Sequence, residues 1–165
     1  FIFFEETDLC FRIWLAGFVV LYEPNSIIYH TGGGDTSSWD SYRYERRMYL
    51  SLRNTLCSYL KNFGTRNMLM ILPIFIFIEL GLALYWLITL RANLAIVVLK
   101  AFLWNITNMI NTMKKRRIVQ HKIRKISDSM LNIQIIRNPS FSYYLYLFAG
   151  KLGSYKDKWK KHSHV

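Results

Sequence analysis

Phe4-Glu5-Glu6-Thr7-Asp8-Leu9-Cys10-Phe11-Arg12 places three carboxylates where an apolar run gives way to helical periodicity. The run before it, Phe1-Ile2-Phe3-Phe4, reads as a strand caught in mid-sequence, so the chain is expected to be a piece of a longer one. Thr7 to Ala16 reads as a short helix. Thr7 or Asp8 can cap its start, Leu9, Ile13 and Ala16 share a face, and Gly17 supplies the stop. Asp8 and Arg12 stand four apart and can pair across one turn. Crowding of Glu5, Glu6 and Asp8 is expected to raise at least one carboxyl pKa, which suits a general base. A bland reading stands beside it: acidic residues favour helix N-termini for the dipole alone.

Working outward, Phe18 to Tyr22 and Ser26 to His30 read as two short strands separated by Glu23-Pro24-Asn25. His30 then leaves its strand into Thr31-Gly32-Gly33-Gly34, where an imidazole could face a metal or a phosphate and the glycines allow close backbone approach. Trp39, Tyr42 and Tyr44 could stack on a sugar ring or simply anchor the next helix. That helix is expected over Tyr42 to Lys61, with Arg46, Arg47 and Arg53 either meeting a diphosphate or lying solvated. Cys10 and Cys57 sit among apolar residues without metal-site or disulfide spacing.

The charge is uneven. The whole chain carries +12, but up to Asn62 six Lys/Arg face seven Asp/Glu, leaving −1. From Phe63 onward sixteen Lys/Arg face three Asp/Glu, leaving +13. Within that second part Met68 to Leu90 is apolar apart from Glu79, about long enough to cross a bilayer. Leu94 to Met113 is a weaker apolar stretch with Asn93, Lys100, Thr107, Asn111 and Lys114 along one side, closed by Lys114-Lys115-Arg116-Arg117. An apolar span followed by basic residues suits an anionic membrane surface and argues against nucleic acid, whose binding motifs interleave charge with a recognition element.

Taken in order, Glu5-Glu6-Thr7-Asp8-Leu9, then Arg12, Leu15-Ala16-Gly17-Phe18 and Tyr29-His30-Thr31-Gly32-Gly33-Gly34, followed by Arg53-Asn54 and Leu60-Lys61-Asn62, the sequence resembles the end of the catalytic domain of family 2 glycosyltransferases, the rhamnosyltransferase-like branch in particular. The resemblance implies an α/β fold: residues 1–63 as the acceptor-side, C-terminal part of a GT-A domain, 67–117 as a membrane-associated apolar helical hairpin, and 118–165 as a basic tail. It implies an inverting transfer from a nucleotide-sugar donor to a lipid-linked or polysaccharide (glycan) acceptor. Glu6 would be the catalytic base with Glu5 as its partner, Trp39 and Arg46 would meet substrate, and His30 would reach toward the metal. Glu6 stands where the family usually has Asp. A divalent metal, Mg2+ or Mn2+, would be held chiefly by an Asp-x-Asp motif that this sequence lacks. The catalytic part would lie on the cytoplasmic face of the cell membrane, in contact with membrane lipids. A non-enzymatic, basic, membrane-anchored adaptor is the alternative.

Overall fold

The computed structural model describes residues 3–29 and 41–135. Residues to Leu131 form one compact unit, and Asn132 begins a second. Every regular element among the described residues is helical: α1 (Glu5–Leu15), α2 (Ser41–Asn62), α3 (Thr65–Ile88), α4 (Ala92–Thr107), α5 (Met109–Ile118), a π-helical turn (Val119–Ile123) and α6 (Asp128–Ile135). The α/β expectation is therefore corrected: the described chain is all-helical. Phe18 to Tyr29 is irregular, with a turn where Asn25 N–H donates to Glu23 Oε1 at 2.9 Å and Ser26 N–H to Glu23 O at 3.1 Å. A strand exists only through its ladder. Among the described residues nothing pairs with this segment, and Tyr22 and Tyr29 stand 89% and 94% exposed. Nor do Phe3 and Phe4 continue a strand. Both take left-handed backbone angles, φ 70° and 71°, costly for residues with a Cβ.

α1 begins two residues earlier than expected, with Phe4 at its N-cap and no side chain capping it. Asp8 is instead a helical residue whose carboxylate turns sideways onto α2. The stop is as the glycine suggests. Gly17 takes φ 83°, its N–H donates to Trp14 O and that of Phe18 to Ile13 O, satisfying carbonyls the helix leaves open.

α2, α3 and α4 pack on one another around a shared core in an up-down-up arrangement. α2 runs in the same direction beside α4 and, past a 64° bend at Asn108, beside α5, with contacts along its length: Asn93 Nδ2 to Glu45 Oε1 at 2.6 Å, Asn105 Nδ2 to Arg53 O at 3.2 Å, Cys57 beside Thr112, and Arg116 Nη1 to Leu60 O at 2.7 Å. Returning antiparallel between these ends, α3 sets Phe75 against Tyr59 (ring centroids 5.3 Å apart) and Ala83 and Trp86 into a core with Leu52, Leu94, Ala95, Val98 and Ala101. Pro73 lies inside α3, where it removes one intrahelical bond.

The corner between α2 and α3 is held by residues far along the chain. Arg116, Gln120 and Arg124, spaced four apart, present one helical side to the last carbonyls of α2. Arg116 Nη1 donates to Leu60 O and Phe63 O at 2.7 and 2.6 Å, Gln120 Nε2 to Lys61 O and Asn62 O at 3.0 Å each, and Arg124 Nη2 to Asn62 O at 2.6 Å. Cations at a helix C-terminus also oppose its dipole. Arg124 pairs in turn with Asp128, whose other oxygen accepts from Gly64 N–H at 2.7 Å. A Cβ on Gly64 would stand 2.6 Å from that oxygen, so only glycine lets the carboxylate approach. Arg116→Met should keep the aliphatic stem while stranding the Leu60 carbonyl and leaving Phe63 O only a longer bond from Gln120 Nε2 at 3.3 Å, lowering stability by about 2 kcal/mol. The shift of the thermal unfolding midpoint in detergent micelles measures it.

Candidate functional site

The α2 stripe Asn54, Ser58, Asn62 repeats every four residues, so all three side chains line one helical side, and all are buried. That side receives α1. Ser58 Oγ donates to Asp8 Oδ1 at 2.8 Å and Asn62 Nδ2 to the same oxygen at 2.7 Å. Lys61 Nζ lies 2.7 Å from the carboxylate, and Arg12 Nε donates to Asp8 Oδ2 at 3.1 Å. Burial pushes the Asp8 pKa upward, but the hydrogen bond and charge of Lys61, then the Ser58 and Asn62 hydrogen bonds, outweigh it and hold the carboxyl below its ordinary value. Crowding alone predicts a raised pKa in this cluster; at Asp8 the direction is the reverse, because its neighbours across the interface are donors. One turn back along α2, Asn54 Nδ2 donates to Phe3 O at 2.8 Å and the Phe4 ring meets Tyr59 edge-on at 6.2 Å, fixing the left-handed turn that precedes Glu5.

Beside this clasp runs a groove of about 480 Å³ lined by Glu5, Asp8, Leu9, Arg12, Lys61 and Lys115, with Ile118, Val119 and Ile123 as its apolar wall. Glu5 is half-buried, and its Oε2 is buried with no hydrogen-bond partner among the described residues. A buried carboxylate oxygen left unpartnered is costly. Glu6, adjacent in sequence, is exposed and does not line the groove. A second, basic groove of about 540 Å³, lined by Lys114, Arg117, His121 and Lys122, shares Ile118 with the first.

The other candidates from the sequence lie elsewhere. Arg46 is exposed in the second turn of α2, sixteen residues before Asn62, so roughly 24 Å along the axis at 1.5 Å per residue from the Asp8 clasp. Arg53 is taken up by stacking: its guanidinium carbon lies 4.7 Å from the Trp104 ring and 5.5 Å from the Tyr49 ring. Arg47 sits over the Phe3 ring at 5.5 Å. His30 and Trp39 lie outside the described residues. Among the described residues no group of three His, Cys, Asp or Glu side chains could hold a metal ion.

Sequence reading misses Lys61 and Lys115 as groove residues, along with the Ser58 and Asn62 donors. The four-residue repeat Asn54, Ser58, Asn62 is the available signal, since polar residues at core spacing in a helix require a buried partner. No family model, no curated protein and no solved structure matches this chain.

Asp8 gives the site a pH dependence of definite sign. A carboxyl whose folded pKa is depressed contributes stability above its unfolded value, about 3.9, and loses it as pH falls through the lower folded value. Asp8→Ala should cost about 3 kcal/mol at neutral pH, since it leaves Lys61 and two donors without their acceptor. That deficit should shrink as the pH falls below about 3.9, which denaturant unfolding of both proteins at a series of pH values would follow.

Proposed function

We propose that this chain forms the acceptor-side, membrane-facing part of an inverting glycosyltransferase of the family 2 kind. Its site lies on the cytoplasmic side of the cell membrane and its acceptor is lipid-linked or a glycan. The carrying observation is Glu5, which lines a groove bordered by Arg12, Lys61 and Lys115 and has one buried carboxylate oxygen without a partner among the described residues. The physical joining of the resemblance's motifs supports the reading. Arg53-Asn54 supplies the amide that holds Phe3 O, and Lys61-Asn62 supplies two of the donors on Asp8, so stretches some fifty residues apart meet at one contact. α3 is long and apolar enough to cross a membrane, which supports the membrane setting. This chain contributes helices to the enzyme and, among its described residues, no sheet.

In the proposed step a carboxylate takes the proton of the acceptor hydroxyl. That oxygen bonds to the anomeric carbon of the donor sugar as the bond to the nucleoside diphosphate breaks, and the diphosphate carries away the electron pair. The groove favours Glu5 over Glu6 as the carboxylate, because a base must lie within hydrogen-bond reach of the hydroxyl it deprotonates. Lys61 and Arg12 are engaged by Asp8 and act as positioning residues. Lys115, exposed on the groove's rim, is available to an anionic group. The Mg2+ or Mn2+ implied by the resemblance finds no ligand set among the described residues, so no step is derived through it.

The acceptor-side part alone is expected to be inactive, so in membranes from cells making the longer protein that contains it, sugar transfer from labelled nucleotide sugars to lipid or glycan should fall roughly a hundredfold in Glu5→Gln. Glu6→Gln should retain most of it. Equal loss in both would assign the pair a joint role. Wild-type transfer in both variants of the longer protein would defeat the proposal.

A further inference from the structure

α3 is long and apolar enough to cross a bilayer, but it does not stand alone. α2 accompanies α4 and α5 from one end to the other, and α3 returns between those ends. If α3 crossed, α2 would cross with it, carrying Arg53 and Asn54 into the hydrocarbon, where charged and polar side chains are costly. The connection to α2 would have to cross as well. α1 is clasped at the C-terminal end of α2 through Asp8, whereas α2 begins at Ser41, twenty-two residues and roughly 33 Å away. The chain between must cover that distance. Its described part, 16–29, is irregular and contains Glu23 and Asn25, and lipid-exposed irregular backbone does not occur at membrane depth.

The apolar and polar surfaces separate in a way that suits a different placement. α3 is exposed over most of its surface, with Ile74, Phe77 and Ile88 prominent and Phe77 79% exposed. Along α4, Ile96, Leu99, Leu103 and Ile106 are all exposed and recur every three or four residues, an outer stripe that ends where α5 turns from α4 by 64°. Asn93, Lys100 and Thr107 share the neighbouring edge of α4, and from that edge Asn93 reaches Glu45 of α2. The polar edge thus borders α2, on which Arg46 and Arg47 are exposed. Beyond the corner at Arg116, Lys114, Lys115, Arg117 and Lys122 are exposed too, a basic rim complementary to anionic headgroups.

Resting on the membrane part of the reading above, we infer that α2, α3 and α4 lie flat on one leaflet of an anionic bilayer, their axes in its plane, with α3 and α4 beneath α2. The outer faces of α3 and α4 enter the acyl chains, Lys100 and Asn93 mark the water line, and α2 stays on the aqueous side. The Glu5 groove, with Lys115 on its rim, then opens at headgroup level.

Two measurements test the placement. The unmodified chain in phosphatidylglycerol–phosphatidylcholine bilayers, examined by polarised infrared spectroscopy, should show helix axes in the membrane plane; axes along the normal would overturn the inference. In sealed inverted membrane vesicles, Arg66→Cys and Arg91→Cys, made separately in a chain lacking Cys10 and Cys57, flank the two ends of α3. Both should react with an impermeant thiol reagent before detergent, and detergent should add no label to either. Shielding of either until detergent is added would put the ends of α3 on opposite faces. That overturns the flat placement and leaves membrane association standing. Release of the chain by high salt alone would overturn both.

Discussion

The Asp8 carboxylate is the tie between the first helix and the rest of the molecule, and most of what surrounds it follows from the need to satisfy it. A carboxylate taken out of water demands donors. Ser58, Asn62, Lys61 and Arg12 supply them, so α1 can lie against only one stretch of α2. Because the clasp uses the last turn of α2, the open carbonyls of that same turn must be satisfied from the other side. Arg116, Gln120 and Arg124 meet them. Two polar systems, one on side chains and one on backbone, thus converge on Leu60 to Phe63. Leu60 and Phe63 themselves are buried between them, with Phe11 stacked edge-on to Phe63 at 5.1 Å.

This convergence explains why the basic residues divide into two populations. The run from Lys114 to Lys125 looks uniform in sequence, a charge cluster suited to a membrane surface. In the fold, Arg116 and Arg124 turn inward as caps, and burial draws the Arg116 pKa downward, assisted by the nearby Arg124 charge and opposed by Asp128. Lys114, Lys115, Arg117 and Lys122 remain outside. Guanidinium groups suit the inward task because they carry several donors: Arg116 serves the Leu60 and Phe63 carbonyls through Nη1 and Thr65 Oγ1 through Nη2. Ammonium groups, compact and strongly hydrated, suit the rim.

What can be read in the sequence is local. The stop at Gly17, the apolar run of α3 and its break near Arg91 to Asn93 all depend on residues within a few positions of one another, and the bounds of α1, α2 and α3 fall within a few residues of those expected; the stretch expected over Leu94 to Met113 instead breaks at Asn108, and Lys114 to Arg117 continue α5 rather than close it. What cannot be read is pairing across distance. A strand is a property of two segments, and Phe18 to Tyr29 carries β-branched and aromatic residues without a described partner to make a ladder. Asp8 shows the same limit from the other side. Its i, i+4 partner Arg12 is legible, whereas Ser58, Lys61 and Asn62, fifty or more residues away, are not. Their repeat along α2 signals a buried polar partner but not which one. Of the candidate groove, Glu5 is legible as part of an acidic cluster; that it rather than Glu6 faces the cavity depends on where α1 docks.

The clasp also bears on how a reacting group could be held. Glu5 lies one turn before Asp8, at the start of a helix whose own cap is a phenylalanine in a left-handed conformation. Such a start would fray if left to local forces. It is held instead by the Asn54 amide on Phe3 O, by the Phe4 and Tyr59 rings, and by the Asp8 network three residues on. Helix ends are ordinarily the least ordered part of a helix, but this one is fastened on both sides of Glu5 to a single rigid partner. Those contacts remove the freedom that would let a lone carboxylate find a partner elsewhere, which is the physical reason its Oε2 can stay buried and unsatisfied.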